Sequence, residues 1–152
     1  MALGDIKISR PSTELKIVQR AVKAGAIASI EAGEPVIVDG SNAGYVKKPA
    51  ADVTTANVLV GFAVTTSTDV VATDGVVYVA MPDPGTIFRG KAKTPGSLAQ
   101  AKVDTNVVID LTSDVFTVDE STTANGMCHI VGFNATTGDV DFTVKQSAAA
   151  GA

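Results

Sequence analysis

Turn-forming residues punctuate this chain at short intervals and leave segments of strand length between them. The signals run "EAGEP" (31–35), "DGSNAG" (39–44), "KKPAADVTTAN" (47–57), "TDG" (73–75), "PDPG" (82–85), "TPG" (94–96), "TSD" (112–114), "STTANG" (121–126) and "TTGD" (136–139). Between them, apolar and polar residues alternate. Turns every 8–12 residues around alternating runs mark a sandwich or barrel. Residue usage points the same way. There are 22 Val and 17 Thr against 5 Leu. Branching at Cβ stiffens the first side-chain torsion and suits strands, whereas Leu, the good helix former, is scarce. The 22 Ala are scattered or gathered at the C-terminus. The expected fold is all-β: a small β-sandwich or barrel with an extended N-terminal arm and at most one or two short helices.

The first 13 residues, "MALGDIKISRPST", hold one short alternating piece and then Pro11, which lacks a donor and interrupts any regular element. They read as an extended arm. "ELKIVQRAVKAGA" fits a helical stripe of Leu15, Val18 and Val22, and also a strand with Leu15, Ile17 and Ala21 on one face. The strand is favoured because β structure follows at once. "VLVGFAVTTST" alternates Val58, Val60, Phe62 and Val64 against Leu59, Gly61, Ala63 and Thr65, with Gly61 marking a bulge or a close approach. "SLAQAKVD" is the one expected helix, a turn or two capped by Ser97. "NVVIDLTSDVFTVDE" and "MCHIVGFNATTGDVDFTVKQ" read as hairpins turning at Thr112–Asp114 and at "ATTGD". The expected organisation is an arm at 1–23, a β domain at 24–146 and a flexible small-residue tail at 147–152.

Net charge is −4, unevenly spread. Lys7, Arg10, Lys16, Arg20 and Lys23 outweigh Asp5 and Glu14 within residues 1–23, five against two, or +3. The rest holds seven bases and fourteen acids, or −7. A basic segment on an acidic body hints at partner docking, or is local variation. Nothing in this balance favours nucleic acid or an anionic membrane as a partner. There is no Trp, with 5 Phe and 2 Tyr, so stacking platforms for bases are scarce. The N-terminus has no secretory h-region, and no apolar run approaches membrane-spanning length, so synthesis and folding in the cytoplasm are expected.

"PDPGTIFRGKAK" (82–93) comes within one residue of the phosphate-loop pattern G-x-x-x-x-G-K-[ST]. Ala92 stands where the magnesium-binding hydroxyl is needed, and Pro95-Gly96 stops the helix whose N-terminus would hold the phosphate. As a strand the segment is coherent. Thr86, Phe88, Gly90 and Ala92 share one face; Ile87, Arg89, Lys91 and Lys93 share the other. The three like charges are either a solvated face or a docking stripe for acids on a partner or neighbouring subunit.

Catalytic and metal chemistry finds little support. Cys128 and His129 are adjacent, so on a strand they point to opposite faces and cannot act as nucleophile and base. The single cysteine rules out an internal disulfide, and one Cys with one His falls short of a zinc set. The acids cluster at turns, where Asp and Asn bond their own backbone. No cofactor, metal site or catalytic residue is expected.

The stretches "VKAGAIASIEAGEPVIVDG", "VLVGFAVTTSTDVVATDGVVYVAMPDPGTIFRGKAKTP", "VIDLTSDVFTVDE" and "IVGFNATTGDVDFTVK" resemble the head decoration (cement) proteins of tailed bacteriophages, over roughly residues 20–145. The resemblance implies a β-tulip-like, non-enzymatic protein, made in the host cytoplasm. It would sit on the outer surface of the expanded capsid in the virion. Its partners would be the major capsid protein and further copies of itself, as a homotrimer. With that role, the basic N-terminal segment makes Ile6, Lys7, Ile8 and Arg10 the expected capsid-binding arm, and the charge ladder makes Arg89, Lys91 and Lys93 an expected interface stripe at subunit or capsid contacts. The alternatives are another virion β protein (tail tube, tail terminator or fibre domain) and a carbohydrate-binding module, the latter disfavoured by the absence of Trp.

Overall fold

Eleven strands, linked by turns and two 3₁₀ turns, account for the regular structure in the computed structural model, which describes residues 5–25 and 29–145. The strands are β1 (Lys7–Arg10), β2 (Lys16–Val22), β3 (Pro35–Val38), β4 (Tyr45–Lys47), β5 (Leu59–Ala63), β6 (Gly75–Met81), β7 (Ile87–Lys91), β8 (Asn106–Thr112), β9 (Val115–Asp119), β10 (Cys128–Asn134) and β11 (Asp139–Val144). The all-β expectation holds. The 147–152 tail lies outside the described residues.

Two sheets divide these strands. β2-β4-β3-β5-β6 close into a five-stranded barrel, in which β2 and β4 run parallel and the other pairs antiparallel. The second sheet has six strands in the order β1-β7-β11-β10-β8-β9. Its far strand bends back, because Val118 bridges Ala92 just past β7 and Lys93 N–H donates to Val118 C=O at 2.8 Å. The chain thus enters the six-stranded sheet with β1, leaves to build the barrel, and returns with β7.

Each sheet has its own core. Val22, Val36, Val46, Val60, Val77 and Val79 fill the barrel, a valine interior suited to strands. Phe88, Phe116, Phe142, Ile109, Ile130 and Val107 lead the larger core under the six-stranded sheet. β5 serves both. All five of its residues are buried, with Leu59 and Phe62 in the larger core and Val60 and Ala63 in the barrel. Simple alternation would put Leu59 opposite Phe62. Instead, a register shift lies between Val36↔Gly61 and Ile37↔Leu59, and the extra residue brings both side chains to one side. Gly61 lies at the bulge and also at a close approach. A Cβ there would meet Ala80 C=O at 2.1 Å.

Three sequence expectations need correction. Residues 5–22 are not a detached arm, because β1 pairs with β7 and β2 pairs with β6 along its whole length from Lys16↔Met81 to Val22↔Gly75. In β2 the buried side is Val18 and Val22, while Ile17 is 53% exposed. "SLAQAKVD" forms no α-helix. Ser97 ends a 3₁₀ turn, Pro95–Ser97, and a second covers Gln100–Lys102, since the segment must dip Leu98 into the core and turn again within a few residues. Both hairpins form where expected. Ser113 and Asp114 take positive φ (52° and 62°), as a two-residue hairpin turn matching strand twist requires.

Gly61→Ala is expected to destabilise the protein by about 3 kcal/mol or more in urea denaturation, because backbone blocks the new methyl. Gly40→Ala, with nothing within 4 Å, is the control, expected to change stability by less than about 0.5 kcal/mol.

Candidate functional site

Alternation along β7 sends Phe88, Gly90 and Ala92 into the core and Arg89, Lys91 and Lys93 to the outside. The outward cations are neutralised within the chain. Asp141 and Asp139 stand directly opposite Arg89 and Lys91 in register on β11. Arg89 makes a two-pronged contact with Asp141, Nε–Oδ1 2.7 Å and Nη2–Oδ2 3.1 Å. Lys91 reaches Asp139 at 2.8 Å and donates to Thr137 C=O at 3.0 Å. Lys93 lies 2.8 Å from Asp110 and 3.6 Å from Asp119. The hydrogen bond from Lys91 holds Asp139 below the usual carboxylate range, and those from Arg89 to Asp141 and Lys93 to Asp110 push the two bases up. The expected interface stripe is therefore a ladder closed on itself, and carries no free positive charge for a partner.

The free cations lie elsewhere. Lys7 and Arg10 on β1 and Lys16 at the start of β2 are exposed, with no carboxylate within 4.0 Å among the described residues. The four residues assigned to the arm divide by role. Ile6 is 2% exposed, packs in the larger core and donates its N–H to Gly33 C=O at 2.8 Å, so it is unavailable to a partner in this conformation. Ile8 is half-buried opposite Phe88. Lys7 and Arg10 project to solvent. Among the described residues β1 pairs with β7 alone, so it forms an outer edge of its sheet.

Asp83 holds β1 in place by fixing the segment that follows it. Its carboxylate accepts from Ser12 Oγ (2.8 Å), Thr86 Oγ1 (2.8 Å), Gly85 N–H (2.9 Å) and Thr86 N–H (3.0 Å), while Ser12 N–H donates to Thr86 Oγ1 at 3.2 Å. Partial burial raises the Asp83 pKa, but these bonds outweigh it and the net direction is down. Sequence reasoning passed over this group. The signal was "PDPGT", an Asp placed to cap its own turn.

Beside β1 lies an apolar cleft of ≈ 230 Å³, walled by Ile6, Ile8, Phe62, Val64, Ala80 and Phe88. Across β6, Ala80 neighbours Ile17 on β2, and Tyr78 neighbours Gln19, whose Oε1 accepts from the Tyr78 hydroxyl at 3.3 Å. Val64 N–H donates to Tyr78 C=O, so Val64 stands beside Tyr78. Ile17, Val64 (37% exposed) and Tyr78 (43%) therefore extend the cleft into one apolar surface on the outside of the barrel. It is flanked by the unpaired cations of β1 and β2.

Cys128 is fully buried, and burial pushes its thiol up, away from a reactive thiolate. His129 faces away from it, held by Asn106 Oδ1 (2.8 Å) and Asp104 Oδ1 (3.2 Å). Among the described residues no group of three Cys, His, Asp or Glu is placed to hold a metal ion, and no helix is long and apolar enough to cross a membrane. No family model, curated protein or solved structure matches the chain.

Asp83→Ala is expected to loosen β1 without unfolding the body, raising hydrogen exchange of the Lys7–Arg10 amides by about 30-fold, the equivalent of roughly 2 kcal/mol. Because the Asp83 pKa is depressed on folding, its contribution is whole above about pH 4, the unfolded value, and is lost as pH falls through the lowered one. Wild-type β1 exchange, corrected for intrinsic rate, should rise in that acid window and the Ala variant's should change less.

Proposed function

We propose that this chain is a head decoration protein of a tailed bacteriophage, binding the outer surface of the expanded capsid and tying neighbouring capsomers together. The observation that carries the reading is the combination at β1: an edge strand that bonds, among the described residues, to β7 alone, and two unpaired cations along it, Lys7 and Arg10. That is the chemistry of strand addition, in which main-chain hydrogen bonds give affinity and alternate side chains give register. The sequence resemblance to the cement proteins supplies the partner, the major capsid protein, and the expectation of a homotrimer on the virion surface.

The remainder of the molecule suits a structural part. The ladder on β7 and β11 spends its charges internally, which stiffens the sheet and leaves recognition to the β1–β2 side. Many identical sites on one shell, together with self-association, make modest single contacts sufficient through effective concentration.

Since Ile6 belongs to the core, deleting the arm would test folding as much as binding, and reversing surface charge is the cleaner experiment. An Arg10→Glu variant, titrated onto expanded heads lacking the protein, should bind about fivefold more weakly at low salt, with the gap narrowing as salt rises, and should melt like the wild type. Undiminished occupancy at every salt concentration would remove β1 from the capsid contact. Electron microscopy of labelled particles distinguishes a head location from a tail one.

A further inference from the structure

The loop between β5 and β6 ends in an apolar tip that no described residue covers. Val70 and Thr73 exchange backbone hydrogen bonds (Val70 N–H to Thr73 C=O, 3.0 Å; Thr73 N–H to Val70 C=O, 3.2 Å), leaving Val71 and Ala72 at the turn. Val71 is 85% exposed and Val70 57%. The tip stands on a braced base. Asp74 accepts from Ala24 N–H and from the Tyr45 hydroxyl, both at 2.7 Å, and Gly25 N–H donates to Val70 C=O at 3.4 Å. Adjacent valines held out in water on a braced loop form a contiguous apolar tip, the kind of surface that marks an interaction site.

The apolar cleft beside β1 supplies one of matching chemistry. Its walls are aliphatic and aromatic, and ≈ 230 Å³ has room for small branched side chains. The charges match as well. The tip is framed by Asp69 and Asp74. Asp69 has no cation within 4.0 Å among the described residues, and Asp74 shares Lys23 at 3.6 Å. The cleft is lined by one acid, Asp5, which is engaged within the chain, and rimmed by Lys7, with Lys16 near its Ile17 extension, neither lysine paired with a carboxylate among the described residues. Tip and cleft lie at opposite ends of β6: the tip precedes Gly75, and Ala80 lines the cleft. Five residues of strand separate them by about 17 Å, so a tip cannot reach its own cleft.

We infer that the Val70–Ala72 tip of one copy docks in the β1-side cleft of the next, making a head-to-tail contact that closes into a ring. The two surfaces differ, so the contact is heterologous, and it forms a closed assembly when the rotation per step divides a full turn. This deepens the reading above, whose homotrimer it supplies with a contact, and three copies are the ring that reading requires. It also assigns the two unpaired cations separate tasks: Lys7 at the subunit contact, and Arg10, farther along the edge, left for the shell.

The test uses purified full-length protein without capsids, so its result does not depend on capsid binding. Light scattering coupled to size exclusion should give a closed oligomer for the wild type. Val71→Asp on the tip and Val64→Asp on the cleft wall should each give monomers with melting temperatures close to wild type, because both positions are at the surface. Mixing the two variants is the decisive step. The intact tip of the Val64 variant can enter the intact cleft of the Val71 variant, so the mixture should form a dimer with one working contact and no larger ring. A monomeric wild type at high micromolar concentration, an oligomer that survives Val71→Asp, or a mixture that stays monomeric would each overturn the proposal. Loss of capsid occupancy in a variant that still forms the ring would instead bear on the decoration reading alone.

Discussion

Three phenylalanines hold the two sheets together. Phe62 comes from the barrel, Phe88 and Phe142 from the six-stranded sheet, and their ring centroids lie 4.7, 5.9 and 6.0 Å apart. In a chain with so much valine, few other side chains are long enough to bridge from one sheet to the other. Aromatic pairs in tilted or offset contact contribute about 0.5–1.5 kcal/mol each beyond the area they bury. The cluster also sets register. Phe88 stands opposite Ile8 on one side and Phe142 on the other, so the residue that fills the junction also aligns β1, β7 and β11. The bulge in β5 that turns Phe62 towards this junction, and the glycine that lets β5 approach β6, follow from the same requirement.

Because Phe88 fixes the inward face of β7, its neighbours Arg89, Lys91 and Lys93 must face out; the match of Arg89 with Asp141 and of Lys91 with Asp139 becomes part of sheet pairing, and Lys93 reaches Asp110 on β8. Charge on this protein is thus sorted by function of place. Where strands pair in the middle of a sheet, cations and carboxylates cancel across the ladder. Along the edge strand β1, Lys7 and Arg10 remain without a carboxylate partner among the described residues, as does Lys16 at the start of β2. Such partly exposed pairs contribute little stability singly, since water screens them, but they cancel the charge that the sheet's paired strands would otherwise present.

The sequence was most informative where a single strand decided the matter. β7 could be read from its two faces, and the hairpin at Ser113-Asp114 from its turn. It was silent where the decisive partner lies far along the chain. Nothing local in "FRGKAK" says that its acids arrive between 17 and 52 residues later, so a self-paired ladder and a docking stripe look alike. The same distance hid the fate of the N-terminal segment. A Pro-interrupted basic stretch has the look of a free arm, and only the backbone of Gly33 and the open side of β7 show where Ile6 and β1 go. In β5 the failure was different: strict alternation was assumed, and the bulge breaks it.

The return of the chain to the sheet where it began has a consequence during synthesis. Ser12 bonds to Thr86, 74 residues later, so β1 has no pairing partner until almost the whole barrel has left the ribosome. At typical elongation rates that interval is roughly 4 to 15 s. Ile6 stays uncovered throughout, on a segment bearing Lys7 and Arg10, while neighbouring ribosomes on the same message carry chains at successive stages, those ahead already displaying β7. The barrel, complete by Met81, can fold first; β1 waits for β7. Whether that strand ends in its own sheet or in a sister's is therefore settled by the order of emergence as much as by the contacts of the finished fold.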